Sequence, residues 1–433
     1  MKTFSILTLG CKVNQYESEA MKEIFEKNGY IEVDSETDVA DVYVVNTCTV
    51  TNLSDRKSRQ YIRRAKRENP DSIVCVVGCY SQVSPEEVQA IEGVDIIMGT
   101  TDRSRIFELV ENFKKDKNQI SIVKSLKGFT EFQHIEIDKE SEMTRSYMKV
   151  QDGCNRYCTY CIIPYARGPI RSRTIEDSVE EAKRLSEAGY KELVLTGIHI
   201  GSYGKDLGDE RLVDLIEEIA KVDGIERIRL SSIEPITITR DFLERIKATG
   251  KVCDHFHLSL QSGSNAVLKA MNRRYTREEY IETCDLIREY YPFVGLTTDI
   301  IVGFPGETDE DFEDTVDLVK RVEFSKIHVF KYSKRSGTPA AEMKNQVDGN
   351  IKIERSNRLL ELSDKMMERF IEKNKNTTLK VLFEEEKDGY MRGYSTNYID
   401  CKVKTDLELK NQIRDAKIVA IDGESAIVEI ERS

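Results

Sequence analysis

The chain has 433 residues, room for two to four domains, and its 39% hydrophobic and 33% charged composition excludes a collagen-like, low-complexity or largely disordered protein. No stretch reaches the roughly 18 uncharged apolar residues of a membrane span, and MKTFSILTLGCKVNQ lacks the apolar core and cleavage site of a secretory signal, so a cytoplasmic protein is expected. The net charge of -12 opposes nucleic-acid binding except through a local basic face.

Residues 1–114 read as alternating strands and helices. Strands are predicted at 4–9, 42–46, 73–78 and 95–99, with helices at 17–27, after Ser54 as a cap, after Ser84 with Pro85 at its first position, and up to about 113. Continuous β-branched runs between helices predict a doubly wound parallel sheet. KKDKNQ (114–119) reads as a linker, and the pattern stays poor to about 144. A second βα series follows at 146–150, 192–197, 227–232, 255–260, 296–304 and 326–332. Six repeats within 140–370 suit an open (β/α)6 partial TIM barrel, with chemistry at the C-terminal strand ends. A charged helix at about 352–373 precedes short strands across 373–433, expected to form a small antiparallel β-barrel.

In a reducing compartment the ten cysteines point to metal or redox work. CNRYCTYC sets Cys154, Cys158 and Cys161 in a C-x3-C-x2-C loop directly after the first barrel strand. Three thiolates on a cubane leave one iron open, whereas structural zinc wants four ligands, and the next candidates are as distant as His199 and Cys253.

This loop resembles the cluster loop of radical S-adenosylmethionine enzymes. The resemblance implies an open iron that chelates the cofactor's amino and carboxylate groups, and reductive cleavage to methionine and a 5′-deoxyadenosyl radical. It also implies cofactor contacts at Gly197 in LVLTGIHIGSYG, at Gln261 and Ser262 in HLSLQSGS, and at Ile301 and Gly303 in DIIVGFPGET. From the residues alone, Gln261 is equally an ordinary polar strand end, and Gly303 to Gly306 a tight turn around Pro305.

Cys11, Cys48 and Cys79 each fall just past a predicted parallel strand, beside Gly10, Thr47 and Gly78. In a doubly wound sheet those ends share one edge, so the three thiols can meet, and the small neighbours allow close approach to a bulky ligand. Cys75, Cys253, Cys284 and Cys401 read as unrelated buried thiols. Two three-cysteine sets on this layout resemble the methylthiotransferase family over nearly the whole chain. The motifs LGCKVNQYES, NTCTVTN and RKSRQYIRRAKR are most similar to its bacterial branch acting on tRNA N6-threonylcarbamoyladenosine. The isopentenyladenosine and ribosomal-protein branches remain alternatives. The resemblance implies two 4Fe–4S clusters, S-adenosylmethionine, an external flavodoxin- or ferredoxin-like electron donor, and a C-terminal RNA-binding TRAM barrel.

Residues 56–67 hold seven cations and no acid, and Arg56, Arg59, Arg63 and Arg67 share one helical face. Arg167, Arg171 and Arg173 form a second basic set after the cluster loop. Such runs are either solvated faces or phosphate sites, and the absence of acids within an acidic chain favours tRNA. In the C-terminal barrel, cations and acids nearly balance, leaving Lys402 with Lys404, or stacking on Tyr394 and Tyr398, for any RNA contact. A cobalamin-dependent methyltransferase would also combine a flavodoxin-like unit with a radical core, but no histidine precedes residue 134 to ligate cobalt. An iron–sulfur RNA-binding or electron-carrying protein is the non-enzyme alternative; the open three-cysteine loop argues against it.

Overall fold

The computed structural model describes residues 2–50, 52–134 and 144–430. Strands β1 (Thr3–Thr8), β2 (Ile31–Glu32), β3 (Val42–Thr47), β4 (Ile73–Gly78), β5 (Ile96–Met98) and β6 (Ile120–Ile122) form one parallel sheet in the order β2-β1-β3-β4-β5-β6. Helices cover both faces, so every residue of β3 and β4 is buried. Val42 and Val44 pack with Phe4, Phe25 and Ile106 on one face, while Tyr43 and Val45 pack with Ile62 and Val76 on the other. The winding reverses between β1 and β3, and loops at that point carry ligands in such sheets.

Three features depart from the sequence reading. β6 lies beyond the expected linker and extends this unit past residue 114; three residues without flanking periodicity give no pattern to detect. The first helix begins at Lys12 rather than Glu17, because Asn14 and Glu17 are polar yet buried. The next helix, Asn52–Glu68, starts before Ser54, which therefore does not cap it.

All six expected barrel strands are present. β7 (Arg145–Asp152) carries the short antiparallel β8 (Arg171–Ser172) on its outer edge and pairs in parallel with β9 (Glu192–Gly197), which pairs with β10 (Arg227–Leu230). β11 (His255–His257), β12 (Gly295–Val302) and β13 (Lys326–Lys331) form a second parallel sheet. Isolated bridges Ile228↔Val252 and Ile233↔Leu258 join the two into an open barrel. The surrounding helices start on Thr174, Thr239, Ser264, Thr276 and Thr308, each accepting a backbone N–H three residues on. Each such cap contributes about 1 kcal/mol.

After the long helix Gly349–Lys373, β14 (Thr378–Lys387), β15 (Tyr390–Ser395), β16 (Asp400–Val403), β17 (Gln412–Asp422) and β18 (Ser425–Ile430) close a small barrel. It is antiparallel except for β16 with β18, which pair in parallel. This barrel docks on the central one through Arg145 to Glu384 at 2.6 Å and Arg229 to the carbonyls of Ser395 and Thr396 at 3.1 Å. No described helix is long and apolar enough to cross a membrane.

Candidate active site

The loop after β7 is held at several backbone points. Cys154 N–H donates to Gly168 O at 3.0 Å, and Cys161 N–H donates to Cys158 O at 2.9 Å. The Asn272 amide donates to Tyr157 O at 3.1 Å, fixing Tyr157 with a left-handed φ of 50° between two of the cysteines. Such strain in a non-glycine residue marks a segment over-determined by its surroundings.

Beneath the loop lies a network that sequence reasoning missed. The Glu234 carboxylate pairs with Arg156 at 2.6 Å, His199 at 2.9 Å and Arg273 at 3.0 Å, and Arg273 Nη1 donates to Cys158 Sγ at 3.5 Å. Burial opposes ionisation of Glu234, but the His199 hydrogen bond and the two guanidinium groups outweigh it and hold the carboxyl down at about 2. His199, also bonded to Ser202 at 2.6 Å, is thereby committed as a neighbour of the loop rather than a fourth ligand. Cys253 is buried beside Arg229, so neither distant zinc candidate joins the loop.

Cys11, Cys48 and Cys79 follow β1, β3 and β4, and the Cys79 and Cys11 thiols act electrostatically on Cys48, as Cys11 does on Cys79. Gly10, at φ 111°, is needed there because an added Cβ would lie 2.9 Å from Cys48 Sγ. Gly78, at φ 101°, makes room for the Thr47 carbonyl, 2.6 Å from such a Cβ. These two glycines thus admit the neighbouring loop of the sheet. Arg167 Nε donates to Cys79 Sγ at 3.3 Å.

Burial first, then the neighbouring thiols, push Cys48 and Cys161 up to about 12, and burial pushes Cys154 to about 11. Thiols held protonated in this way release protons when a metal centre binds. Among the described residues all ten cysteines are free, and no three metal-ligating side chains close on a single ion. The residues fit clusters in which each thiolate ligates a separate iron. Each set gathers three thiols, shows no fourth ligand among the described residues, and has an arginine donating to one sulfur.

Cys161 of the first set lines a cleft of about 210 Å³ together with Gln261 and Ile301 from the barrel and Val50, two residues past Cys48. Gln261 holds a left-handed φ of 70° while its N–H donates to Asp299 O at 2.8 Å. Arg335 ties the second set to the barrel through Asp55 at 2.8 Å and through Thr49. Exposed Tyr157, on the cysteine loop, and Tyr165, on the short helix Ile163–Arg167 that follows, stand edge to face.

The other expected cofactor contacts do not line this cleft. Ser262 is buried and occupied with the Ser264 N–H at 3.2 Å and Thr315. Gly303 sits under Lys352 in the turn before Pro305 and donates to Glu307 at 2.6 Å. Gly197 ends β9 against Gln151, whose amide oxygen accepts from His199 N–H at 2.7 Å.

The second basic set is corrected by the structure: Arg167, Arg171 and Arg173 are interior residues, not an RNA surface. Arg167 pairs with Glu17 at 2.6 Å, Arg171 with Asp152 at 3.4 Å, and Arg173 with Glu181. Buried carboxylates demand such partners, and a linear scan does not reveal acids from other elements. Tyr394 and Tyr398 also turn inward, stacked 4.9 Å apart, with Tyr398 4.5 Å from His255. On the helix Asn52–Glu68, Arg56, Arg63 and Arg67 are exposed, and Arg59 is half-buried against the Tyr80 hydroxyl at 3.0 Å.

Comparisons with known proteins place this geometry in a class. The Radical SAM superfamily profile matches residues 148–319, and that of an uncharacterized protein family, UPF0004, matches residues 3–99. A solved radical S-adenosylmethionine methyltransferase, TsrM from Kitasatospora setae, covers 79% of this chain and 77% of its own at 14% identity, with a TM-score of 0.59. It binds cobalamin and a 4Fe–4S cluster, and at that identity the likeness speaks for the fold alone.

The threonylcarbamoyladenosine tRNA methylthiotransferase MtaB of Bacillus subtilis is 44% identical over 97% of this chain and 94% of its own length. The tRNA-2-methylthio-N(6)-dimethylallyladenosine synthase of Pelotomaculum thermopropionicum is 40% identical over 91% and 90%. The chain belongs to the methylthiotransferase family of radical S-adenosylmethionine enzymes.

Proposed function

We propose that this enzyme converts N6-threonylcarbamoyladenosine of tRNA, on the 3′ side of the anticodon, to its 2-methylthio derivative, using S-adenosylmethionine and two 4Fe–4S clusters. The observation that carries the two-cluster reading is the single cleft bordered by Cys161 and by the loop of Cys48. When bound, the cluster at Cys154, Cys158 and Cys161 supplies the electron for reductive cofactor cleavage, and that at Cys11, Cys48 and Cys79 supplies the sulfur. The target C–H of adenine is inert to acid–base chemistry, which is why radical chemistry is required and no general base is assigned.

The chain's own groups orient and shield this chemistry. Arg273 and Arg167 direct N–H donors at Cys158 and Cys79 and offset thiolate charge. Glu234 fixes Arg156, Arg273 and His199 beneath the loop, while Gln261 and Ile301 form a wall of the cleft that would hold the cofactor. Tyr157 and Tyr165 offer stacking faces to bases beside an adenosine unstacked into the cleft. Arg56, Arg63 and Arg67 hold phosphates, with Arg59 at their margin. An external flavodoxin- or ferredoxin-like donor and a cytoplasmic setting complete the reading.

Reconstituted protein, S-adenosylmethionine, a chemical reductant and an anticodon stem-loop bearing threonylcarbamoyladenosine test it. The expected product is the methylthiolated nucleoside together with 5′-deoxyadenosine. Methylthiolation of an isopentenyladenosine stem-loop alone would place the enzyme in the other tRNA branch.

A further inference from the structure

Between the central barrel and the C-terminal barrel lies a cavity of about 460 Å³. His255, His257, Thr297, Asp299 and His328 line it from β11, β12 and β13, and Lys12 enters it from the N-terminal unit, directly after Cys11. Lys12 is half-buried, its ammonium 6.0 Å from the Tyr147 ring centre, and among the described residues no carboxylate lies within ion-pair distance of it. Neighbouring cations are satisfied: Lys326 by Glu424 at 3.0 Å, Arg229 by Glu192 at 2.7 Å, and Arg145 by Glu384 at 2.6 Å. Asp299 lines both this cavity and the cleft at Cys161 and Gln261, so the two adjoin at that side chain.

An unpaired ammonium in a partly enclosed polar cavity suits a carboxylate. In adenine, C2 and C6 both flank N1, so a base that turns C2 toward the cleft carries its N6 substituent in along the same edge. Resting on the function proposed above, we infer that this cavity is the subsite for that substituent and that Lys12 binds its carboxylate. Asp299, whose carboxylate is 3.2 Å from His257 Nε2, is placed to accept the carbamoyl N–H. An isopentenyl group in the same place would leave the Lys12 ammonium without a partner in the cavity, which is how a polar pocket rejects an apolar analogue.

The test compares two anticodon stem-loops, one with threonylcarbamoyladenosine and one with its threoninamide analogue, in which the carboxylate is a neutral amide. The wild-type enzyme is expected to favour the carboxylate about 30-fold or more in kcat/KM, the worth of a hydrogen bond to a charged group. The preference should reside in KM, collapse to within about three-fold in Lys12→Met and return in Lys12→Arg. Equal use of both RNAs by the wild type overturns the inference even if the variants lose their clusters, as does a Lys12→Met enzyme that keeps the preference. A wild type inactive on both RNAs but active on isopentenyladenosine would instead overturn the proposed function.

Discussion

Replacing Arg167 with methionine removes one of the cations that join the two cysteine-bearing units. Arg167 is fully buried and donates to Glu17 at 2.6 Å, to Asn14 Oδ1 at 2.6 Å and to Cys79 Sγ at 3.3 Å. Removing one partner of a buried ion pair destabilises by about 3–5 kcal/mol because the other charge is left behind. Glu17 would retain Lys149 at 2.8 Å and Arg103 at 3.0 Å, so the lower end, about 3 kcal/mol, applies. At about 2–4 °C per kcal/mol, the melting temperature should fall by about 6–12 °C. The same substitution frees Cys79 from its donor while leaving Cys154, Cys158 and Cys161 untouched. Methylthiolation should therefore fall more than 5′-deoxyadenosine formation, measured side by side on the reconstituted enzyme. An Arg167→Met variant that melts within about 2 °C of wild type and methylthiolates normally would refute the reasoning.

Further substitutions separate the two clusters and the RNA face. Cys158→Ala should abolish both cofactor cleavage and product, whereas Cys48→Ala should spare 5′-deoxyadenosine and block thiolation, both read by chromatography of reaction mixtures. Changing Arg63 or Arg67 to Gln should weaken tRNA binding and flatten the log–log salt dependence by about 0.7–0.9 per residue. Arg171→Gln should leave that slope unchanged while lowering stability, because Arg171 lies inside against Asp152. Burial opposes ionisation of Glu17, Glu192 and Glu234, yet their arginine, lysine and histidine partners outweigh it and hold all three carboxyls down at about 2. Depressed carboxyls stabilise fully above their ordinary value near 4.5 and lose that contribution as pH falls toward 2. Urea midpoints should thus drop steeply below about pH 4.5, and a flat profile from about pH 6 to about 2.5 would contradict these ion pairs.

Much of this architecture is legible in the chain because its strands are continuous apolar runs and its cysteines sit at their ends. VYVVN and IVCVVG become fully buried central strands, and Cys48 and Cys79 follow them directly. What escapes a linear reading is pairing over long separations. The basic run of Arg167, Arg171 and Arg173 looks like a surface until Glu17, Asp152 and Glu181 are brought against it. Glu234, Arg273 and Arg335 carry no motif of their own, and only the fold shows them supporting the cysteine loops. Tyr394 and Tyr398 read as RNA-stacking residues but are used to seat the C-terminal barrel on Arg145 and Arg229.

The most direct measurement is mass spectrometry of tRNA nucleosides from cells with and without this gene. Loss of 2-methylthio-N6-threonylcarbamoyladenosine, with its unthiolated precursor accumulating, is the expected result. Loss of the isopentenyl counterpart alone, or no change in any tRNA nucleoside, would contradict the assigned reaction.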